Sequence, residues 1–143
     1  MFLLDTNVVS ELRKIRLGKA DGCVAAWAES VDADDLYLSV ISLQELEIGI
    51  LLLERRDPLQ GGIFRTWMTM HVLPAFAGRI LSIDTAVALR SARLQVPDLR
   101  PFRDGMIAAT ALVHGMTVVT RNVVDFVSSG VSILNPWNPP EKR

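Results

Sequence analysis

Short apolar runs alternate with amphipathic stretches along the whole of this chain. Phe2-Leu3-Leu4 is apolar throughout and gives way at once to Asp5-Thr6-Asn7, the pattern of a buried strand ending in a polar turn that caps a helix. Val8, Val9, Leu12 and Ile15 then recur at helical spacing, with Glu11, Arg13 and Lys14 on other faces. Asp21 is placed to cap a second helix carrying Val24, Trp27, Ala28 and Val31, and Asp32 to Asp35 reads as an acidic turn. Leu36 to Val40 is the second predicted strand. The Ser42-Leu-Gln-Glu45 sequence reads as a capping box opening a third helix that runs to about Arg56.

Pro58 and Gly61-Gly62 are expected to break the helical pattern, which resumes around Ile63, Trp67, Met70 and Leu73. Ile80 to Ile83 reads as a third strand, with Asp84 capping a helix over Val87 to Gln95. Pro97 and Pro101 bracket a predicted surface loop. An Ala-rich helix follows from Gly105 to His114, with Gly115 as its C-cap. Thr117 to Thr120 and Val131 to Leu134 are the fourth and fifth strands. Strands that alternate with helices and are apolar throughout indicate a parallel sheet covered on both faces. The expected fold is therefore one α/β domain over residues 1–143, a mainly parallel four- to five-stranded sheet flanked by helices. Residues 135–143, rich in Pro, are expected to form an irregular C-terminal tail.

Composition narrows the class without changing the fold. The chain has 143 residues, half of them apolar, with 15 basic and 16 acidic side chains and a net charge of −1. That is apolar enough to build a core and too neutral for a protein that coats nucleic acid indiscriminately. Its single Cys cannot form an internal disulfide, and one Cys with two His does not make a structural zinc site. No apolar run is long enough to span a membrane, and the first residues lack the basic stretch of a secretory signal. A cytoplasmic protein is expected.

The candidate chemistry lies in where the carboxylates fall. Asp5 follows the first strand, Glu45 opens the helix after the second, Asp104 begins the Ala-rich helix, and Asp125 comes shortly after the fourth strand. Ligands of open α/β sheets bind beyond the carboxyl ends of the strands, where such loops converge. Clustered acids raise one another's pKa, and a divalent cation relieves the repulsion. An all-oxygen set favours Mg²⁺ or Mn²⁺ over Zn²⁺, and such an ion with its carboxylates can activate a water against a phosphodiester. Each acid also admits a plain structural role: Glu45 in the capping box, Asp104 against the helix dipole, Asp5 as a cap. Spacing alone leaves both roles open.

The remaining residues carry weaker signals. Asp84 and Glu11 read as a cap and a solvated helix face, Cys23 as a small buried residue, and His71 and His114 as structural. Trp27, Trp67 and Trp137 read as packing residues. Arg103 and Arg121 neighbour the acids and are placed to touch phosphates. The apolar positions Ile63, Phe64, Trp67, Met68, Met70 and Val72 exceed what one helix stripe needs, so a homodimer through this region or the third helix is expected.

Together these segments resemble a known family. The opening Leu-Leu-Asp5-Thr6-Asn7, the Ser-Leu-Gln-Glu45-Leu-Glu stretch, Asp104-Gly-Met-Ile-Ala-Ala, Thr120-Arg121-Asn122 and the ending Leu-Asn135-Pro136-Trp137 are similar to PIN-domain nucleases. Among these they resemble VapC-type toxins of bacterial toxin–antitoxin pairs, in the FitB-like branch. The resemblance spans essentially the whole chain and implies a Mg²⁺- or Mn²⁺-dependent endoribonuclease that cleaves RNA with a metal-activated water. It implies metal-site roles for Asp5, Glu45 and Asp104, and roles as orienting residues for Thr6 and Thr120. It also implies a VapB-like antitoxin, which inserts a segment into a nearby groove and mediates any contact with operator DNA. Where many relatives carry Asp, this chain has Asn122, whose amide oxygen can ligate but brings no charge. Asp125, three residues on, is the alternative acid. Two other readings remain at this stage: a housekeeping PIN nuclease, or a catalytically impaired binding module acting through antitoxin and operator DNA. A haloacid-dehalogenase-type phosphatase is discounted, because it needs an acid where Asn7 stands.

Overall fold

The structure, a computed structural model, describes residues 1–139. Its five short strands are β1 (Phe2–Leu4), β2 (Leu36–Ser39), β3 (Ile80–Leu81), β4 (Thr117–Val119) and β5 (Ile133–Leu134). They form one sheet in the order β3-β2-β1-β4-β5, with every neighbouring pair parallel. The first strand in sequence is thus the middle strand in space. Because successive side chains of a strand point to opposite faces, Leu4, Leu38 and Val119 enter one core while Leu3 and Val118 enter the other. Both faces are covered, which is why the strands are apolar without alternation.

Helices α1 (Thr6–Arg13), α2 (Gly22–Ser30), α3 (Val40–Arg56), α4 (Pro58–Trp67) and α5 (Leu73–Ala75) lie between β1 and β3. Then come α6 (Thr85–Leu94), α7 (Phe102–His114) and the single turn α8 (Val124–Val127). Val8, Val9, Leu46 and Ile50 from α1 and α3 fill the first core, and Ile107, Ala108 and Ala111 from α7 fill the second. The small residues of α7 let it lie close to the sheet. Asp21 and Asp84 cap α2 and α6, and Gly115 ends α7 at φ +66°, as the sequence predicts. Among the described residues no helix is long and apolar enough to cross a membrane.

The chain departs from the sequence reading at several points, each with a physical cause. α3 begins at Val40, not Ser42, because Ser39 at the end of β2 already accepts the N–H of Ile41 at 3.1 Å. There is consequently no capping box: Ser42 lies inside the helix, its hydroxyl 3.5 Å from the Leu4 carbonyl. The expected break at Gly61-Gly62 is absent. Asp57 ends α3 and also caps α4, accepting from Gln60, and Pro58 occupies the first turn, where its missing N–H costs nothing. Gly61 is instead a contact residue, since a Cβ there would stand 2.5 Å from the Glu54 Cα.

The apolar excess of the fourth helical region is largely spent inside the monomer. Met68 and Val72 lie in a π-helical turn and are buried, and Phe64 and Trp67 pack on the same core, leaving Ile63 and Met70 exposed. Glu11 does not merely face solvent, for it accepts the Asp21 N–H and pairs with Lys14 at 3.0 Å. Cys23 is half-exposed rather than buried. Of the expected irregular tail, 135–139 form turns without helix or strand, and 140–143 lie outside the described residues.

Candidate active site

The switch in strand order falls at β1, whose successor β2 lies to one side and β4 to the other. A crevice opens beyond the strand ends at such a point. Asp5 occupies it. The residue is 5% exposed and serves as N-cap of α1, accepting the Thr6 N–H at 2.8 Å. Its other oxygen accepts the Thr120 hydroxyl at 2.8 Å and lies 3.4 Å from the Asn7 amide. The Asp5 N–H in turn donates to the Val119 carbonyl, so β1 and β4 continue their pairing into the site. Thr120 is itself buried and accepts the Asn122 N–H at 3.0 Å.

Glu45 reaches the same edge from the second turn of α3. The two-residue extension of that helix removes Glu45 from any capping role, and its carboxylate accepts the Thr6 hydroxyl at 3.1 Å. Asp104 comes from the first turn of α7, which Pro101 leaves without a side-chain cap. It accepts no hydrogen bond among the described residues. Asp125 lies exposed in the first turn of α8, which also has no side-chain cap.

The electrostatics bind these four residues into one cluster. Burial, then the charges of Asp5, Asp125 and Glu45, push the Asp104 carboxyl up to about 6. Asp5 is also raised, chiefly by burial and further by Asp125, against the lowering effect of its bonds from Thr120 and Thr6. No cation is among the causes acting on either group. Among the described residues no three acidic, His or Cys side chains stand close enough to hold a metal ion as they are. A site held basic close to neutrality, with oxygen donors only, takes up a proton or a hard cation.

Thr6 and Thr120 orient carboxylates, whereas Asn122 contributes its main-chain N–H to Thr120 and keeps an exposed side chain. Sequence reasoning passed over Asn7, which contacts Asp5 through its amide and accepts the Arg121 N–H at 3.3 Å through its carbonyl. Its place in the Asp-Thr-Asn turn was the available signal. Arg103 is exposed at the start of α7. Beside Glu45, a groove of about 280 Å³ opens between α1, α3 and α4, lined by Thr6, Ser10, Gly49, Leu53, Phe64 and Trp67.

The chain and its fold have counterparts among known proteins. A PIN domain profile matches residues 2–124. The chain is 38% identical to the VapC ribonuclease Y4jK of Sinorhizobium fredii, covering 97% of this chain and 99% of that protein. It is 36% identical to toxin FitB of Neisseria gonorrhoeae, covering 96% and 99%. It superposes on a solved structure of FitAB bound to a DNA fragment with a TM-score of 0.88, at 36% identity and full coverage of both chains.

Proposed function

The chain belongs to the PIN-domain family, and from that premise we propose that it is a divalent-metal-dependent endoribonuclease, the toxin of a toxin–antitoxin pair. The observation that carries this reading is the cluster of Asp5, Glu45, Asp104 and Asp125 at the switch point of the sheet, coupled in charge. The donor set fits a hard divalent ion: oxygen atoms alone, drawn from four separate segments, with proton affinity raised where burial is greatest. Asp5, Glu45, Asp104 and Asp125 would hold Mg²⁺ or Mn²⁺, which when bound acidifies water and withdraws charge from a phosphoryl oxygen.

The rest of the work belongs to the chain itself. Thr120 and the Thr6 N–H fix the Asp5 carboxylate in one orientation, and the Thr6 hydroxyl fixes Glu45. These bonds set the acids before substrate arrives, so little is spent on ordering them. VapC and FitB relatives matching nearly the full length support the ribonuclease and toxin assignments. The solved structure of FitAB bound to a DNA fragment supports an antitoxin partner, through which any contact with operator DNA would be made. The groove beside Glu45 suits an antitoxin segment, which would silence the site by placing a cation among the acids.

The test is incubation of the purified chain with total RNA in Mg²⁺, in Mn²⁺ and in EDTA, with Asp5→Ala as control. Metal-dependent fragments absent from the control are expected. Intact RNA under all conditions would overturn the nuclease reading in favour of a binding module, the reading that Asn122 favours. A small neighbouring reading frame for a DNA-binding protein separates a toxin from a housekeeping nuclease.

A further inference from the structure

Arg121 connects the acid cluster to the C-terminal segment without joining the cluster. Thr120, before it, donates to Asp5, and the Arg121 N–H donates to Asn7, so its backbone is fixed at the start of α1. Its guanidinium carbon stands 5.1 Å above the centre of the Trp137 ring. Among the described residues no carboxylate lies within ion-pair range of it. Glu11 feels its charge but is already engaged by Lys14 and the Asp21 N–H. This positive charge, on the residue after Thr120, is thus held on an aromatic face instead of neutralising the acids.

The turn beneath it is built to hold that ring. The Trp137 N–H donates to the Asn135 side chain at 3.0 Å, the Asn138 N–H donates to the Asn135 carbonyl at 3.2 Å, and the ring packs on the first core. A cation–π contact engages the flat face of a guanidinium and leaves its rim of N–H donors free. The Arg121 side chain spends none of those donors among the described residues and is exposed. That rim matches two oxygens of a phosphate. A polyanion approaching four carboxylates meets repulsion, and a cation carried on the residue that follows Thr120 offsets it.

We propose that Arg121, propped on Trp137, binds a backbone phosphate of the RNA strand next to the bond that is cut. The proposal rests on the endoribonuclease reading and adds to it the residue that holds the strand.

The experiment measures binding of a fluorescein-labelled single-stranded RNA oligonucleotide to the full chain in EDTA across a range of salt, then cleavage of the same RNA in Mn²⁺. Arg121→Ala should weaken metal-free binding about tenfold and reduce the slope of log affinity against log salt by about 1. In Mn²⁺ its KM should rise by more than its kcat falls. Arg121→Lys, which keeps the charge and loses the fork, should fall between wild type and Arg121→Ala, and Trp137→Leu, which removes the aromatic face, should weaken metal-free binding severalfold. Wild-type affinity and salt slope in Arg121→Ala, whatever its melting temperature, would overturn the proposal and leave the pair as an anchor for the C-terminal turn. If the wild type binds through Arg121 but cuts nothing, the proposal stands and the nuclease reading falls. Absence of wild-type RNA binding overturns both.

Discussion

Helix α3 carries acids on two sides and treats them oppositely. Glu47 and Glu54 share Arg65 from α4, at 2.6 and 2.8 Å, and the shared bonds hold the Glu54 carboxyl below its ordinary range and raise the hold of Arg65 on its proton. Glu45, a short way along the same helix, meets a hydroxyl and adds its charge to those of Asp5 and Asp125 against Asp104. The first group is complete as it stands, a helix-to-helix clasp exposed to solvent and worth little. The second group is incomplete. Threonines orient two of its acids, Asp5 and Glu45, while Asp104 accepts no hydrogen bond among the described residues and is pushed up by burial and by its neighbours' charges.

The contrast breaks first at Asp5. Asp5→Asn keeps the shape of the cap and removes the charge, so cleavage should fall by more than the roughly 100-fold typical of outer-shell changes, with a near-normal melting temperature. A gel assay with a melting curve on the same sample checks both halves. On the clasp side the sensitive residue is the glycine, not the charges. Gly61→Ala forces a Cβ against Glu54 and should destabilise by about 2–3 kcal/mol. Gly62→Ala meets open space and should stabilise the helix by up to ~1 kcal/mol. Urea unfolding of the two variants distinguishes them.

Asp125 and Asn122 sharpen the boundary of the site. Asp125→Asn should cut the rate about tenfold and raise the Mn²⁺ concentration needed for half-maximal cleavage, whereas Asn122→Ala should change neither by more than about twofold. An unchanged Mn²⁺ titration for Asp125→Asn removes Asp125 from the site. The smaller effect is in pH. Asp104 holds its proton to about 6 when folded, against an ordinary value of 3.8, so between those values the folded chain binds more protons than the unfolded one. Metal-free stability should therefore fall as pH rises across that window and stay at the lower level above it, with Asp5 acting in the same direction. Melting curves in EDTA at about pH 5 and about pH 7.5 should differ, and Asp104→Asn should flatten the difference. Least of all, Arg65→Met should lower the melting temperature slightly and leave RNA cleavage untouched.

The sheet was legible because strands covered on both faces must be apolar throughout, and the caps at Asp21 and Asp84 because a polar residue before an amphipathic run has few other uses. What escaped was decided by partners distant in sequence. Gly61-Gly62 reads as a break until Glu54 is seen packed against it. Ser42 and Glu45 spell a capping box, but Ser39 had already ended the strand and claimed the cap two residues earlier. Met68 and Val72 look like surplus apolar surface until the π-helical turn rotates them inward. In the site, the sequence positions of the acids were readable from the strand ends. The influence of Asp125 on Asp5 and Asp104 was not, since it depends on how the single turn of α8 lies.

The central place of β1 also gives the molecule a timetable. Asp5 and the threonine that orients it are 115 residues apart in the chain. At ribosomal speeds that separation is roughly 6–23 seconds of synthesis. Throughout that interval the nascent chain has Asp5 but neither β4 to pair with β1 nor Thr120 to orient the carboxylate. An unfinished chain, or one released early, therefore lacks the strand and the hydroxyl that complete this edge. The arrangement assembles its active edge only when the last quarter of the polypeptide has been made.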